Sequence, residues 1–421
     1  MRIHRVSATG GAFSGQLGQT VYTFLFSLRF HEAFWVVYLR SRGMSFAAVG
    51  LTETIFHIAS LLGEVPTGWI ADRWGRKNSL IIGRVLHVSS AVVLLQATSL
   101  AGFGLGFVLS AFGYNCHSGA YDALVYDDLK ADGRAADFTR VMGVLNVVYL
   151  VGNSMAALAG GFIAQRALTL LYVVGIGVDT LAIALLIPLR ERMPRESRAS
   201  MQAMAFGSGK GRIDLGRDLR ELWATLRNPN LATILLLWAA VSALATSVSF
   251  YGQSYMKEML LPLTIVGATG MAGNLLAAIP SRLAFRLEER FGDRLPLAAG
   301  SALIPTAVLG LGLAQMAGGT LGQALVVAAL VVVAVLIEGL YPLFSSAANH
   351  LVPSERRATV LSSGSMLFSL VMMVVFPVIG LLGDRVGLRW GFTAVGGLGT
   401  VLAAFLLLRG KIRPIPSTPR P

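Results

Sequence analysis

Long apolar runs recur along the chain and are separated by short polar stretches. Twelve of these runs are long enough to cross a hydrocarbon core of roughly 30 Å, which takes about 20 residues of α-helix. A strand of a membrane β-barrel instead alternates apolar and polar positions over about ten residues. The pattern therefore predicts an all-α membrane protein with twelve transmembrane helices, at 17–39, 46–71, 79–98, 101–126, 139–163, 167–189, 231–255, 262–284, 296–317, 321–348, 359–382 and 389–409.

The composition agrees with a chain that lies in a membrane. Hydrophobic residues make up 54% of the chain and charged residues only 14%, whereas soluble domains carry about 25% charged residues. The net charge of +13 does not indicate nucleic acid as a partner, because the basic residues lie in short loops between apolar runs. The single cysteine, Cys116, rules out a disulfide framework within the chain.

The distribution of basic residues predicts the orientation. If both termini are cytoplasmic, 27 of the 35 Lys and Arg residues lie in cytoplasmic segments and six lie in the opposite loops. Basic residues accumulate in the cytoplasmic loops of membrane proteins. The first apolar run is long and lacks an obvious cleavage site, so we expect a retained helix and not a signal peptide.

One long polar segment divides the twelve spans into two sets of six. The expected parts are an N-terminal six-helix half, a central loop, a C-terminal six-helix half and a cytoplasmic tail, at 1–189, 190–230, 231–409 and 410–421. A weak repeat supports duplication, because Glu289 to Arg294 follows the eighth span as Asp72 to Lys77 follows the second. Likewise Asp384-Arg385 follows the eleventh span where Gln165-Arg166 follows the fifth. Repeated halves with a site between them are a common transporter design.

The central loop has two parts of different character. The first, from Arg190 to Lys210, is basic and rich in small residues. In the second, apolar residues recur at helical spacing among arginines, at Leu215, Leu219, Leu222, Trp223 and Leu226. This spacing predicts an amphipathic helix, either on the inner leaflet or as a solvated linker.

A dense polar motif lies between the second and third spans. Its residues are Gly68-Trp-Ile-Ala-Asp72-Arg73-Trp-Gly75-Arg76-Lys77. They fill every fixed position of the pattern Gly-x-x-x-Asp-Arg-x-Gly-Arg-Lys, and the motif thus resembles the loop between helices 2 and 3 of the major facilitator superfamily. The resemblance implies two pseudo-symmetric six-helix halves, transport by alternating access, and a loop that acts as a conformational latch.

The latch motif carries specific expectations. The Asp72 carboxylate would face the N-terminus of the eleventh span, near Ala358, and be stabilised by the helix dipole. Arg73, Arg76 and Lys77 would pair with acids of the inner surface such as Asp127 and Asp128. The alternative is simple anchoring by positive charge, which does not account for Asp72 or the two glycines.

The fifth span contains small residues at fixed spacing, namely Gly143, Gly152, Ala156-Ala157, Gly160 and Gly161. They resemble the pattern Gly-x8-Gly-x3-Gly-Pro-x2-Gly-Gly of proton-coupled drug antiporters in the superfamily, with Ala-Ala in place of Gly-Pro. Small residues let helices approach closely, so generic packing is the alternative. The resemblance favours export over import.

The fourth span departs from the antiporter pattern Arg-x-x-Gln-Gly, because Asn115 occupies the arginine position. The proton relay built on that arginine therefore does not carry over. Other stretches resemble the subgroup that contains bacterial macrolide and multidrug exporters, namely Ser118 to Asp127, Glu64-Val-Pro66-Thr-Gly and Arg357 to Ser362. This resemblance implies a protein of the bacterial inner membrane.

Charges inside the bilayer cost several kcal/mol unless they are paired or neutralised, so each is a candidate for function. Arg29 and Glu32 lie three residues apart on the first span and can pair on one face. Arg84 and Asp122 lie at similar depth, and a structural ion pair is one explanation of them. The candidate proton or substrate carboxylates are Glu32, Glu64, Asp122, Asp179 and Glu338.

The second span carries Glu53, His57 and Glu64 on one helical stripe, which suggests a wet face. For Glu53 we expect a solvated role near the outer surface. Desolvation raises the pKa of a carboxyl group, and exposure to water or a bound cation lowers it. A carboxyl that alternates between the two sides can therefore exchange a proton for a cationic substrate.

Aromatic residues on the same spans are candidates to line a cavity or to stack on a cation. Those chosen are Phe34, Trp35, Trp238, Tyr251 and Tyr341. The alternative for any of them is a position facing lipid or the membrane interface.

The predicted function is proton-coupled export of small amphipathic compounds, cationic ones among them, by a monomer in the lipid bilayer. We expect the proton gradient as energy source, with no cofactor and no metal. The sequence contains no metal cluster, nucleophile–base pair or phosphate loop, so an enzyme is not expected. A proton-coupled symporter for a specific metabolite and a lipid translocase are the alternatives.

Overall fold

The apolar runs form long α-helices in the computed structural model, which describes residues 15–189, 191, 215–291, 294–353 and 356–408. The described residues contain fourteen α-helices and no strand. They are α1 Gln16–Ser27, α2 Trp35–Ser41, α3 Phe46–Trp74, α4 Arg76–Gln96, α5 Leu100–Ala131, α6 Phe138–Arg166, α7 Leu168–Leu186, α8 Leu215–Leu226, α9 Pro229–Glu258, α10 Leu263–Phe291, α11 Arg294–Ala314, α12 Gly319–His350, α13 Arg357–Val386 and α14 Leu388–Leu408.

This architecture confirms the predicted all-α membrane fold. Within the described ranges, nine helices are long and apolar enough to cross a membrane by length and composition. Each predicted span from the second to the twelfth corresponds to one helix, α3 to α7 and α9 to α14.

The first predicted span is not one helix, which corrects the expectation of a continuous span at 17–39. It breaks after Ser27 and resumes at Trp35. In between, the backbone makes short-range turns, in which the Glu32 N–H donates to the carbonyl of Arg29 at 3.1 Å and the Phe34 N–H donates to that of His31 at 2.9 Å. An unwound segment at membrane depth is tolerated only where protein or a water-filled cavity surrounds it.

The first seven helices and the last six meet along two seams. In one seam α3 packs against α13, and in the other α6 packs against α10. Within the first set, α4 packs against α5 and α7, and within the second set α11 packs against α12 and α14. The short helix α2 contacts α9, so the broken first span lies at the centre of the bundle.

Glycines permit close approach at both seams. A Cβ atom added to Gly161 would lie 2.8 Å from the carbonyl oxygen of Leu263 on the other side of the α6–α10 seam. One added to Gly50 would lie 2.6 Å from Cα of Pro377 in the α3–α13 seam. Neither position can therefore accept a side chain unless the helices move apart.

The other glycines of the fifth-span motif have different surroundings. Gly152 faces Ser27 and Gly160 faces Phe34, so both contact the broken first span. A Cβ atom added to Gly143 would meet nothing within 4 Å. The motif therefore contains three packed glycines, and the packing expected at Gly143 is absent.

One end of the bundle, which we call the closed end, joins the halves by polar caps at corresponding positions of the repeat. The Asp384 carboxylate accepts the backbone N–H groups of Phe46 and Ala47, each at 2.8 Å, at the start of α3. In the other seam, the Gln165 amide donates to the Thr264 hydroxyl at 3.2 Å. Asp384 and Gln165, which the repeat places at corresponding positions, thus each form hydrogen bonds between the two halves.

The predicted amphipathic helix is present as α8, which contacts α9 and α13. Leu222 is buried, whereas Trp223 on the other side is exposed. The predicted basic part of the central loop, from Arg190 to Lys210, lies outside the described residues apart from Glu191. The predicted tail at 410–421 also lies outside them.

The cap at the closed end leads to a first prediction. Asp384→Asn should weaken the α3–α13 seam by about 1 kcal/mol, because it removes a negative charge at the α3 N-terminus and one acceptor oxygen. The closed end should then open in a larger fraction of molecules. Distances between spin labels at Leu100→Cys and Met316→Cys, in a Cys116→Ala background, would report the opening.

The matched control for the cap is Arg385→Gln, since Arg385 is exposed and follows directly after Asp384. It should leave the label distances unchanged. Equal distance distributions for Asp384→Asn and the parent protein would contradict a role for the cap in closing this end.

Candidate functional site

A cavity of about 350 Å³ lies between the two halves, and we call it the central cavity. Its charged residues are Arg29, Glu32 and Glu338. Uncharged polar side chains and apolar ones complete the wall, among them Tyr149, Asn153, Phe250, Gln253, Met256, Asn274 and Leu330. Both halves thus contribute polar groups to one space.

The broken first span places two charges in this cavity. The Arg29 guanidinium lies 3.3 Å from the Glu32 carboxylate, so the ion pair expected from their spacing is present. The side chain of Gln253 in α9 donates to the backbone carbonyl of Glu32 at 3.1 Å. A carbonyl freed by the helix break therefore finds its partner on the opposite half.

A chain of polar side chains crosses the central cavity. The Asn153 amide of α6 donates to the Glu32 carboxylate at 3.4 Å, and the Asn274 amide of α10 donates to the oxygen of Asn153 at 2.6 Å. Glu32 is thus linked to the second half through two amides. A ligand that separates these groups must replace hydrogen bonds that the protein now makes itself.

Glu338 faces the central cavity from α12. The residue is exposed, and no hydrogen bond or ion pair within the described part of the chain involves its carboxylate. Arg29 is the one basic residue among the described residues that line the cavity, and it already contacts Glu32. The lining residues therefore carry two acids and one base, an excess of one negative charge when all are ionised.

A second cavity of about 140 Å³ is lined mostly by the first half, and we call it the side chamber. It shares Arg29, Glu32 and Phe250 with the central cavity. Its further polar and aromatic lining includes His31, Trp35, Glu53, Phe56, His87, Phe107, Tyr172 and Asp179. The side chamber therefore concentrates titratable groups next to the unwound segment.

Asp179 has an arginine partner that the sequence did not identify. The Arg84 guanidinium of α4 donates to the Asp179 carboxylate of α7 at 2.7 Å, and it lies over the ring of Phe26. The pair considered between Arg84 and Asp122 is wrong, since Asp122 is exposed on α5. The cause is that α4 packs against α7 with the face that carries Arg84.

Glu53 and His57 lie inside the protein, which corrects the expectation of a solvated Glu53. Their side chains are 11% and 8% exposed, and the His57 Nε2 atom lies 3.6 Å from the Glu53 carboxylate. The His57 ring also contacts the ring of Phe368 in α13. This part of α3 is covered because α13 packs on it across the seam.

Most of the aromatic residues expected in a cavity lie elsewhere. Phe34 and Tyr251 are fully buried, and Trp238 contacts Tyr341 away from the central cavity and the side chamber. Only Trp35 of the predicted set lines one of the two spaces. The aromatic residues that do line them, and that the sequence analysis missed, include Phe56, Phe107, Tyr149, Tyr172 and Phe250.

A usable signal for two of the missed residues was their spacing from polar ones. Tyr149 lies four residues before Asn153, and Phe250 lies three residues before Gln253. Such pairs share one face of a helix. The polar residue would have indicated the face directed to the cavity.

The latch motif forms a tight turn between α3 and α4. Gly75 adopts a φ of 90°, which favours glycine. The Arg76 backbone N–H donates to the Glu191 carboxylate at 2.9 Å, and its guanidinium pairs with Asp127 of α5. The predicted pairing of Arg76 is therefore present and ties the turn to its own half.

The other basic residues of the motif differ from the expectation. Lys77 donates to the carbonyl of Ile187 at 2.7 Å, Arg73 lies over the ring of Trp69, and Asp128 accepts from Gln19. Neither basic side chain pairs with an acid in the described residues, because backbone and ring acceptors lie closer to them.

Asp72 is exposed, and in the described residues its carboxylate makes no contact with α13. It lines an opening of about 320 Å³ between α3 and α5 together with Glu64, Gly68 and Arg76. Glu64 therefore faces this opening and does not line the central cavity. The hydrogen bonds and close approaches that join the two halves instead cluster between the closed end and His57.

Comparison with known proteins identifies the family. A model of the Major Facilitator Superfamily matches residues 10–375. The chain belongs to this superfamily. It is accordingly a multi-pass membrane transporter and not an enzyme. The predicted membership of the drug/proton antiporter subgroup is a finer assignment that the family model does not make.

Relatives and solved structures agree on the fold. The riboflavin transporter RfnT of Brucella anthropi is 25% identical over 289 residues, which cover 63% of this chain and 64% of that protein. The chain thus spans less than two thirds of the curated relatives it matches. The nucleoside transporter NupG superposes with a TM-score of 0.74 at 15% identity over 94% of this chain and 99% of that one.

A bacterial homologue of the human lysosomal transporter Spinster also superposes, with a TM-score of 0.70 at 18% identity. The match covers 94% of this chain and 96% of that one. At such identities, the similarity of both solved structures concerns the fold alone.

The Arg84–Asp179 pair leads to a second prediction. Arg84→Gln should destabilise the protein by about 3 kcal/mol, because it leaves the Asp179 carboxylate, whose side chain is 19% exposed, without its cation. Arg84→Gln combined with Asp179→Asn should recover most of this loss, since the pair is then replaced by two neutral amides. Thermal unfolding in detergent would measure both variants, and an equally unstable double variant would contradict the pairing argument.

Proposed function

We propose that this transporter exports a small amphipathic organic compound in exchange for protons, and that cationic compounds are among its substrates. The proposal rests on two acids, Glu32 and Glu338, which line one cavity from opposite halves. Arg29 lines the same cavity and pairs with Glu32. The excess negative charge favours a cation or a proton in the cavity. The Glu338 carboxylate is available to either, whereas Glu32 is held by Arg29.

The wall of the central cavity suits an amphipathic compound. Small-molecule sites are mostly apolar with a few polar groups that fix orientation. Here Phe250, Met256 and Leu330 supply apolar surface, and Asn153 and Asn274 supply amides. A flat organic cation would place its apolar part against these side chains and its charge beside Glu338.

Exchange follows from competition for Glu338. The Glu338 carboxylate lines the cavity without a counter-charge from the described residues, so a proton or a cationic substrate can neutralise it. If the two occupants exclude each other, an inward proton gradient drives the compound outward. On the distribution of basic residues we assign the closed end to the outer face of the membrane, and this conformation to an inward-facing state.

The remaining features of the proposal concern location and assembly. We assign the protein to the bacterial inner membrane, with both termini in the cytoplasm, on the excess of basic residues in the corresponding segments. We assign a monomer, because the proposed cavity lies between the halves of a single chain. Protons are the proposed coupling ion, and neither a metal nor an organic cofactor takes part.

A second candidate is a proton-coupled importer of an uncharged metabolite with several hydrogen-bonding groups. Three cavity amides, those of Asn153, Gln253 and Asn274, favour it. Riboflavin and nucleosides, the compounds named for two similar transporters, are of this kind. An inward proton gradient would increase accumulation of such a compound inside oriented vesicles, whereas it would deplete the substrate of an antiporter.

The proposed role of Glu338 leads to a third prediction. Glu338→Gln should abolish proton-coupled transport and leave folding intact, because the amide cannot bind a proton or neutralise a cation. Proteoliposomes with an imposed pH gradient and the amphipathic cation ethidium as probe would measure transport. Asp137→Asn is the matched control, since Asp137 lies in an exposed ion pair with Arg134 outside the cavity. Full coupled transport by Glu338→Gln would end the assignment.

The latch motif leads to a fourth prediction. Asp72→Asn should shift the resting protein further toward the inward-open state, because it removes the charge that would meet the N-terminus of α13 when the inner side closes. Spin labels at Ala131→Cys and Arg286→Cys, again with Cys116→Ala, would measure the distance across the inner end. Unchanged distances at both acidic and neutral pH would argue against a latch at Asp72.

A further inference from the structure

We propose that Glu53 is a proton-binding site separate from the acids of the central cavity, and that its proton must be bound for the α3–α13 seam to close. The inference rests on the proton coupling proposed above and names a group that couples the proton to the gate. It concerns a residue that the sequence suggested was merely solvated.

The distribution of charged pairs in and around the side chamber is the first observation. Three acids among the described residues line the chamber, namely Glu32, Glu53 and Asp179. Arg29 forms an ion pair with Glu32, and Arg84 forms one with Asp179. The basic group nearest to Glu53 in the described residues is the imidazole of His57, at 3.6 Å. Glu53 therefore lacks the permanent cation that the other two acids have.

Burial is the second observation. The Glu53 side chain is 11% exposed and that of His57 is 8% exposed. An ionised carboxylate that is buried without a full counter-charge costs several kcal/mol. A bound proton removes this cost with no change in packing. The closed conformation therefore favours the neutral acid at Glu53.

The groups that face Glu53 from the surrounding helices further favour its neutral form. The Glu32 carboxylate, on the unwound segment, repels a second negative charge at Glu53. From α9, the Tyr251 hydroxyl is the titratable group that interacts with Glu53. From α13, the side chain that reaches this pair is the apolar Phe368.

The remaining neighbours share the chamber. His87 of α4 and Asp179 of α7 line it, as do Arg29 and His31 of the unwound segment. From α5 the chamber receives Phe107 and Ser110. Among the described residues that line the chamber, Arg29 is the one arginine, and it already pairs with Glu32.

The position of Glu53 in the seam is the third observation. Gly50, one turn earlier on α3, approaches Pro377, and the adjacent Thr54 hydroxyl donates to the carbonyl of Met373 at 3.2 Å. Glu53 therefore lies on the stretch of α3 that must separate from α13 when the closed end opens. Opening would admit water to the carboxyl group and allow it to ionise.

These observations define a cycle for one proton. Glu53 takes up a proton from the outer side while the seam is open, and the neutral acid then lets α3 close on α13. In the closed state, the side chamber connects Glu53 to the central cavity through Arg29 and Glu32. Loss of the proton along this route leaves a buried carboxylate, which favours reopening of the seam.

The sign of the pH dependence follows. Acid pH supplies the proton, so it should favour the closed outer end, and rising pH should favour opening. The test uses full-length purified protein with labels at Leu100→Cys and Met316→Cys in the Cys116→Ala background. With Glu53 intact, the distance distribution should shift to longer values as pH rises. Glu53→Gln, which cannot ionise, should stay closed throughout.

Two further variants separate titration from structure. Glu53→Asp keeps a titratable group and should keep a pH-dependent distance, even where its midpoint moves. Asp137→Asn, with its carboxylate in an exposed loop pair, should behave as the parent protein. A distance shift in Glu53→Gln equal to that of the parent would overturn the proposal.

Infrared difference spectra during the same pH titration provide a direct readout of the proton. The parent should show a C=O band of a protonated carboxyl group that disappears as pH rises, and Glu53→Gln should lack it. A band that persists unchanged in Glu53→Gln would assign the proton to another acid and overturn the proposal. Monodisperse elution of each variant would show that it is folded.

The proposed function can fail independently of this site. In one outcome, an imposed pH gradient drives no ethidium transport by the parent protein, while the Glu53 band titrates and the label distances shift. Drug export is then wrong, and the proton site at Glu53 is supported. If ethidium transport depends on pH while Glu53→Gln keeps both the band and the distance shift, export stands and the Glu53 site is wrong.

Discussion

The structure depends on one constraint, which is that the hydrocarbon core offers no water to an unsatisfied polar group. In a continuous helix, the backbone N–H and C=O groups bond to each other. At the break, residues 28–34, other parts of the protein must supply the hydrogen-bond partners. At this break, Gln253 of the second half donates to the carbonyl of Glu32, and Gly160 of α6 lies beside the carbonyl of Phe30. The unwound segment therefore exists only where both halves surround it, and this is where the cavities meet.

The same constraint organises the embedded charges. Arg29 with Glu32 and Arg84 with Asp179 form ion pairs, in which each carboxylate has a cation beside it. Glu53 and Glu338 remain without a permanent cation among the described residues. Uncompensated acids are the groups whose charge must change when water, a proton or a ligand arrives.

The features that could be predicted from the sequence are those that depend on residues close together in the chain. Twelve apolar runs, the turn at Gly75 and the Arg29–Glu32 pair all follow from residues that are near in the chain, and the structure contains each of them. The sequence did not determine which helix faces which. The partner of Arg84 lies 95 residues away, and Glu53 is buried by a helix more than 300 residues further along the chain. The break in the first span was not predicted either, because the residues that contact the unwound segment come from α6 and α9.

The two seams are built alike, but the charges are not distributed alike. Asp384 and Gln165 cap corresponding seams, as expected for repeated halves that move against each other. Both arginine-paired acids of the side chamber belong to the first half. Among the described residues, Glu338 is the one acid that lines the central cavity from the second half. A ligand shifts a conformational equilibrium only through a difference in affinity for the two states. Symmetric seams supply the two states. The asymmetrically placed acids supply that difference, because the surroundings of an acid beside a seam change when the seam opens.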